Sequence, residues 1–267
     1  MSETLRVPIL IDLIPDGLCP GTILLIEFDP DSQWVSVAVT VAVRCLMEAR
    51  HVAFLAFTMT PSEVALAMSK LGLDVAEAEK SGLLAIEDWY SASLTGGRLE
   101  TGTTQRAMFE RVEGRIRVQS LKVADLSVEW LKTSKTGPHV ASDIVEFWPP
   151  GSVAISESCS PILRFGDEKS FVEFFESRIR PEEHRRGNLV TLQGITRGIH
   201  SDWLYKRMES VCDGIIDLRV AELEGEVKNL LRVRALRGQP HNSKWHAIDV
   251  TRNGEAKLGS TDILRLG

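Results

Sequence analysis

Short apolar runs alternate with longer segments of helical length along most of this chain. Continuous apolar runs are typical of buried parallel strands, and they occupy residues 22–28, 51–57, 83–87, 153–156 and 188–193. Segments of helical length and pattern occupy residues 33–49, 61–71, 126–135, 167–186 and 202–210. Alternating strands and helices predict a parallel sheet that is covered by helices on both faces. We therefore expect an α/β fold.

The strongest local signal marks the helix that is predicted at residues 61–71. Thr60 suits the N-cap, Pro61 suits the first helical position, and Glu63 occupies the capping-box position. Gly72 is expected to end this helix, because glycine readily adopts the left-handed conformation that follows a helix.

The tail of the chain has a different pattern. Residues 214–219, 227–233 and 245–250 are separated by turn signals and predict an antiparallel β-meander. Residues 115–119 alternate between polar and apolar side chains, which predicts an exposed edge strand.

The composition favours a globular protein of the cytoplasm. Of its 267 residues, 43% are hydrophobic and 25% are charged, and the net charge of −6 gives no general attraction to nucleic acid or to an anionic membrane. The four cysteines are widely scattered, so we expect free thiols in a reducing compartment and no metal site. We find no signal peptide and no apolar run of membrane-spanning length, and we expect no membrane partner.

Several motifs follow one another in an informative order. A glycine-rich segment at residues 13–22 enters the first strand, residues 57–63 end the second strand, and residues 71–87 form a helical segment and a strand. An Asp-Gly-Ile-Ile strand lies within residues 210–218, and Arg-Gly-Gln-Pro-His follows at residues 237–241. In this order the motifs resemble the KaiC/RadA branch of the RecA-type ATPases, particularly the archaeal KaiC-like proteins, over residues 8–258.

This resemblance implies a RecA-like three-layer sandwich with a mostly parallel central sheet and a C-terminal antiparallel β-meander. It also implies one domain over residues 1–267, with a core at residues 8–220 and a hairpin extension at residues 221–258.

The family's phosphate-binding loop, Gly-x-x-x-x-Gly-Lys-Thr, corresponds here to a loop without glycine or lysine. Its residues are Phe28, Asp29, Pro30, Asp31, Ser32, Gln33, Trp34 and Val35. The resemblance places Trp34 at the lysine position and Val35 at the hydroxyl position. An indole offers one neutral donor, and we expect it to fill the space that a phosphate would need. We expect Asp31 and Ser32 to cap the following helix.

Two further catalytic positions of the family are also altered. Thr58 and Met59 stand where the resemblance implies a pair of glutamates, and neither side chain can act as a general base. Ser156 stands at the position of the Walker B aspartate, and we expect Glu157 to point to the opposite side of the strand. Together these departures predict a pseudo-ATPase with no catalytic residues and no nucleotide cofactor.

The expected function is therefore that of a structural or regulatory subunit that works through protein contacts. The resemblance implies self-assembly or association with a catalytic KaiC-like relative. Arg237 and His241 match a tail motif that reaches a neighbouring subunit, so Arg237 is a candidate for insertion into a partner's ATPase site. Two alternatives stay open, namely a nucleic-acid-binding accessory protein without ATP hydrolysis and an ATP-binding protein with a non-standard site.

Overall fold

The computed structural model describes residues 4–88, 90, 109–112, 115–118, 151–164, 167–176, 180, 189–223 and 225–259. The strands are β1 (Ile23–Phe28), β2 (Val52–Ala56), β3 (Leu84–Asp88), β4 (Phe109–Val112), β5 (Arg115–Val118), β6 (Ser152–Ser156), β7 (Leu189–Thr196), β8 (Gly214–Leu223), β9 (Glu226–Leu236), β10 (His246–Val250) and β11 (Ala256–Leu258). The α-helices are α1 (Trp34–Met47), α2 (Pro61–Lys70), α3 (Val75–Lys80), α4 (Glu168–Phe174) and α5 (Asp202–Val211), and a 3₁₀ helix spans Ser160–Arg164. The helix predicted at residues 126–135 lies outside the described residues.

Nine of these strands form one sheet in the order β11-β10-β9-β8-β1-β7-β6-β2-β3. The strands from β8 to β3 run parallel to one another. Strands β8 to β11 run antiparallel, which confirms the predicted β-meander. Residues 115–118 pair with β4 in a separate antiparallel two-stranded sheet. They form a strand, as predicted, but this strand is not at the edge of the main sheet.

Apolar side chains cover both faces of the sheet, which confirms the three-layer arrangement. On one face, Leu24 and Ile26 of β1 join a core with buried residues of α1 and α2. On the other face, Ile23 and Leu25 of the same strand pack with Leu204 and other buried residues of α4 and α5. Successive side chains of a strand point to opposite faces, and a strand covered on both faces is apolar throughout.

The helix signals at residues 60–72 are confirmed. Thr60 accepts a hydrogen bond from the Glu63 backbone N–H, and the Glu63 carboxylate accepts one from the Thr60 N–H, which completes the capping box. Gly72 has a φ of 88° directly after the last turn, in the left-handed region that favours glycine.

The cysteines are free thiols, as predicted. Cys45 and Cys159 are buried, and burial raises the pKa of each thiol to about 12. They therefore stay protonated and unreactive at neutral pH. Within the described ranges, none of the helices combines the length and the apolar character that crossing a membrane requires.

Candidate functional site

The loop between β1 and α1 lies at the carboxyl edge of the parallel strands, where α/β sheets commonly bind ligands. Three of its backbone N–H groups donate to acceptors of the same chain. The Asp29 N–H donates to the Leu218 carbonyl at 3.1 Å, and the Ser32 N–H donates to the Asp29 carbonyl at 2.9 Å. The Gln33 N–H donates to Oδ1 of Asn229 at 2.9 Å. Donors of this kind hold the phosphates in a phosphate-binding loop, so here they are already engaged.

The carboxylate of Asp29 fastens the loop to its surroundings. Its Oδ2 accepts a hydrogen bond from the Val220 backbone N–H at 3.0 Å, and its Oδ1 lies 3.3 Å from Nη1 of Arg197. The long β8–β9 hairpin thus contacts the loop through Leu218, Val220 and Asn229. The neighbouring residues Pro30 and Asp31 are exposed.

The prediction that Asp31 and Ser32 cap α1 is wrong. The N-cap is Gln33, and its side chain makes no capping hydrogen bond. The Ser32 hydroxyl oxygen is buried and has no hydrogen-bond partner among the described residues. The N–H of Gln33, the N-cap residue itself, donates to Oδ1 of Asn229, which is 196 positions away in the sequence. A partner this far away along the chain leaves no local pattern from which the contact could be predicted.

The side chain of Trp34 is directed into the protein and is 2% exposed. Its Nε1–H donates to the backbone carbonyl of Glu157 at 2.6 Å, and its ring lies 6.1 Å from that of Phe28, centroid to centroid. Gly194 of β7 permits this arrangement. A Cβ there would lie 2.2 Å from the Glu157 carbonyl oxygen and 2.9 Å from Trp34 Nε1. The indole therefore fills the space between the first turn of α1 and the ends of β6 and β7.

Thr58 and Met59, where the resemblance implies a pair of glutamates, differ in their surroundings. Thr58 donates to the Glu157 carboxylate through its backbone N–H, at 2.8 Å, and through its hydroxyl. The Phe57 N–H donates to the same carboxylate at 3.1 Å. Met59 is partly buried and packs against the core beneath α1. The Glu157 carboxylate therefore joins the end of β6 to the end of β2, a role that the sequence did not indicate.

Ser156, where the resemblance implies the Walker B aspartate, hydrogen-bonds with a buried polar side chain. Ile155 belongs to the core on the α1 face, so the side chain of Ser156 lies on the other face of β6. There Nε2 of Gln193 donates to the Ser156 hydroxyl oxygen at 2.8 Å. Ser156 and Gln193 are 5% and 7% exposed, so this pair is part of the packed interior.

A second polar contact connects the segment after β7 with the 3₁₀ helix. His200 Nε2 and the Ser160 hydroxyl oxygen are 2.9 Å apart, and the Thr196 N–H donates to the same oxygen at 3.0 Å. Glu168 lies 3.8 Å from His200 Nδ1. Burial lowers the pKa of His200, which favours a neutral ring at physiological pH, although the Glu168 carboxylate opposes this shift. These contacts join the segment after β7 to the 3₁₀ helix.

Arg237 and His241 lie away from the loop. Arg237 follows β9, whose end pairs with the beginning of β8, at the opposite edge of the sheet from the loop at residues 28–35. Its Nη2 donates to the Ser210 carbonyl near the end of α5 at 2.6 Å. His241 Nδ1 lies 3.1 Å from the Gln239 carbonyl oxygen. Among the residues that the structure describes, no three His, Cys, Asp or Glu side chains form a cluster able to hold a metal ion.

Comparisons with known proteins identify the fold. No protein-family model matches the sequence, and no curated protein matches it significantly. Among solved structures, the chain is similar to the KaiC-like protein PH0186 from the hyperthermophilic archaeon Pyrococcus horikoshii OT3. The TM-score is 0.64 at 17% sequence identity, and the alignment covers 96% of this chain and 97% of the other. The chain therefore has the RecA-like fold of a KaiC-like protein, as its motifs predicted.

Proposed function

We propose that this protein is a non-catalytic member of the RecA-like fold that works through protein contacts and not through ATP hydrolysis. The observation that carries the proposal is the engagement of the loop after β1. The N–H groups of Asp29, Ser32 and Gln33 donate within the chain, and Trp34, where the resemblance implies a phosphate-binding lysine, is buried.

The residues of the loop do not fit a nucleoside triphosphate. Charge-assisted hydrogen bonds contribute roughly 1.5–3 kcal/mol each, and the lysine that would make them is absent. The Asp29 carboxylate would repel a triphosphate, while its bonds to Val220 and Arg197 hold it in place. For a triphosphate to bind, the contacts of Asp29 and Asn229 with the loop would have to break.

Thermal unfolding in the presence of Mg·ATP tests this proposal. A ligand at one hundred times its Kd stabilises a folded protein by about 2.7 kcal/mol, which for a chain of this size raises Tm by roughly 5–11 °C. We expect no shift with Mg·ATP. Sucrose is the positive control, because it stabilises folded proteins through exclusion from their surface. A saturable shift with Mg·ATP would refute the proposal.

The contact-based role is tested by the mass of the protein in solution. A mass above 29.6 kDa by light scattering would support self-assembly, and a monomer would direct the search to a different partner chain. The proposal does not rely on Arg237, because that side chain already donates to the Ser210 carbonyl of its own chain. Insertion into a partner's site would require the loss of this contact.

A further inference from the structure

A cluster of three carboxylates and three arginines lies where β1, β8, β9 and α5 meet. Asp217 is fully buried and forms ion pairs with Arg219 and Arg232, both at 2.8 Å. Glu27 is 3% exposed and lies 2.9 Å from Nη2 of Arg234. With every member ionised, the cluster carries no net charge.

Glu27 and Glu209 meet at a single atom of this cluster. Nη2 of Arg234 contacts Oε1 of Glu27 and also Oε1 of Glu209. The guanidinium of Arg234 therefore bridges the two carboxyl groups, and a hydrogen bond between Glu27 and Glu209 is among the causes that raise the pKa of Glu27. Two ionised carboxylates this close repel, whereas one that holds a proton can donate to the other.

The surroundings of Glu27 favour a proton at this contact. The charged or titratable groups that face it are Asp217 and Arg219 of β8, Arg234 of β9, and Glu209 and Tyr205 of α5. Burial is the main effect that raises the pKa of Glu27, to about 7. The hydrogen bond with Glu209 and the charges of Glu209 and Asp217 contribute to this value, and the charge of Arg234 opposes them.

We propose that a proton shared by Glu27 and Glu209 keeps the end of α5 packed against the sheet. Release of this proton loosens that packing. The side chain of Glu27 is only 4% exposed and is held by Arg234 and Arg219, so it cannot turn away. The side chain of Glu209 is 30% exposed, and rotation into water relieves the repulsion. The end of α5 then loses the contact between Glu209 and Arg234, while the sheet stays intact.

Carbon-13 NMR of the carboxyl groups, with the Glu27 signal assigned from the Glu27→Gln variant, tests the first half of the proposal without altering the protein that is titrated. We expect the Glu27 carboxyl to titrate with a midpoint of about 7. In Glu209→Gln the midpoint should be lower, because the neighbouring negative charge is gone. A midpoint near the ordinary glutamate value of about 4.3 in the unaltered chain would overturn the proposal.

Amide hydrogen exchange tests the second half. After correction for intrinsic rates, amides in the last turn of α5 should exchange faster above the Glu27 midpoint than below it. The Glu27→Gln variant should remove this dependence on pH. Glu176→Gln is the matched control, because Glu176 forms an ion pair with Arg207 of the same helix outside the cluster, and the pH dependence should persist. If corrected exchange in α5 does not depend on pH in the unaltered chain, the proposed loosening of this helix end is wrong.

Discussion

Replacing Gly194 with alanine tests how tightly the end of the sheet is packed around Trp34. The added Cβ would lie 2.2 Å from the Glu157 carbonyl oxygen, which is backbone and cannot rotate aside. It would also lie 2.9 Å from Nε1 of Trp34. The end of β6 and the indole must therefore separate from β7, and the hydrogen bond between Trp34 and Glu157 must lengthen.

The expected loss of stability is the sum of two effects. Forcing extra atoms into a packed core typically costs about 1–3 kcal/mol. A buried donor that loses its acceptor costs about 1–3 kcal/mol more. We therefore expect Gly194→Ala to lower the free energy of unfolding by roughly 2–6 kcal/mol, and to lower Tm accordingly.

Urea unfolding followed by circular dichroism measures this change directly. Gly72→Ala is the control, because a Cβ there meets nothing within 4 Å and only the φ of 88° is unfavourable. That strain costs about 1–2 kcal/mol. A Gly194→Ala variant as stable as the unaltered chain, with the same dependence on urea, would refute the proposed packing.

Three further changes test neighbouring contacts. Trp34→Phe keeps most of the ring but leaves the Glu157 carbonyl without its donor, so calorimetry should show a loss of about 1–3 kcal/mol. Asn229→Ala removes the acceptor of the Gln33 N–H; exchange of that amide should accelerate, whereas unchanged protection would contradict the assigned contact. The pKa of Glu27 is raised from 4.5 to about 7 in the fold, so the folded protein binds more protons and stability should fall by on the order of 3 kcal/mol as pH rises through this window. The Glu27→Gln variant should flatten this fall in urea unfolding measured at several pH values, and an unchanged slope would contradict the assignment.

Local signals predicted the regular parts of the fold. The α2 cap at Thr60 and Glu63 depends on neighbours in the sequence, so pattern alone was sufficient. The sequence did not predict β11, because a strand as short as Ala256–Leu258 has too few alternating positions to stand out. It also underestimated β8 and β9, whose outer halves pair mainly with each other beyond the end of β1.

The candidate site was predictable only in its residue types. That Trp34 stands where the resemblance implies a lysine is visible in the sequence, but its hydrogen bond with Glu157 depends on the close approach that Gly194 allows. The local rule that Asp31 and Ser32 would cap α1 failed, because the N-cap is Gln33, whose own N–H donates to a side chain of the distant β9. Alternation along the strand did not show that the Glu157 carboxylate would bond with Thr58.

The central claim is that the chain itself occupies the donors of the loop after β1. Titration of Mg·ATP into ¹⁵N-labelled protein, observed at the backbone amides of Asp29, Ser32 and Gln33, tests this claim most directly. The account predicts that these three signals stay in place, because each N–H already donates to an acceptor of the protein. Saturable shifts centred on these amides would contradict it, because they would mean that a nucleotide displaces those acceptors.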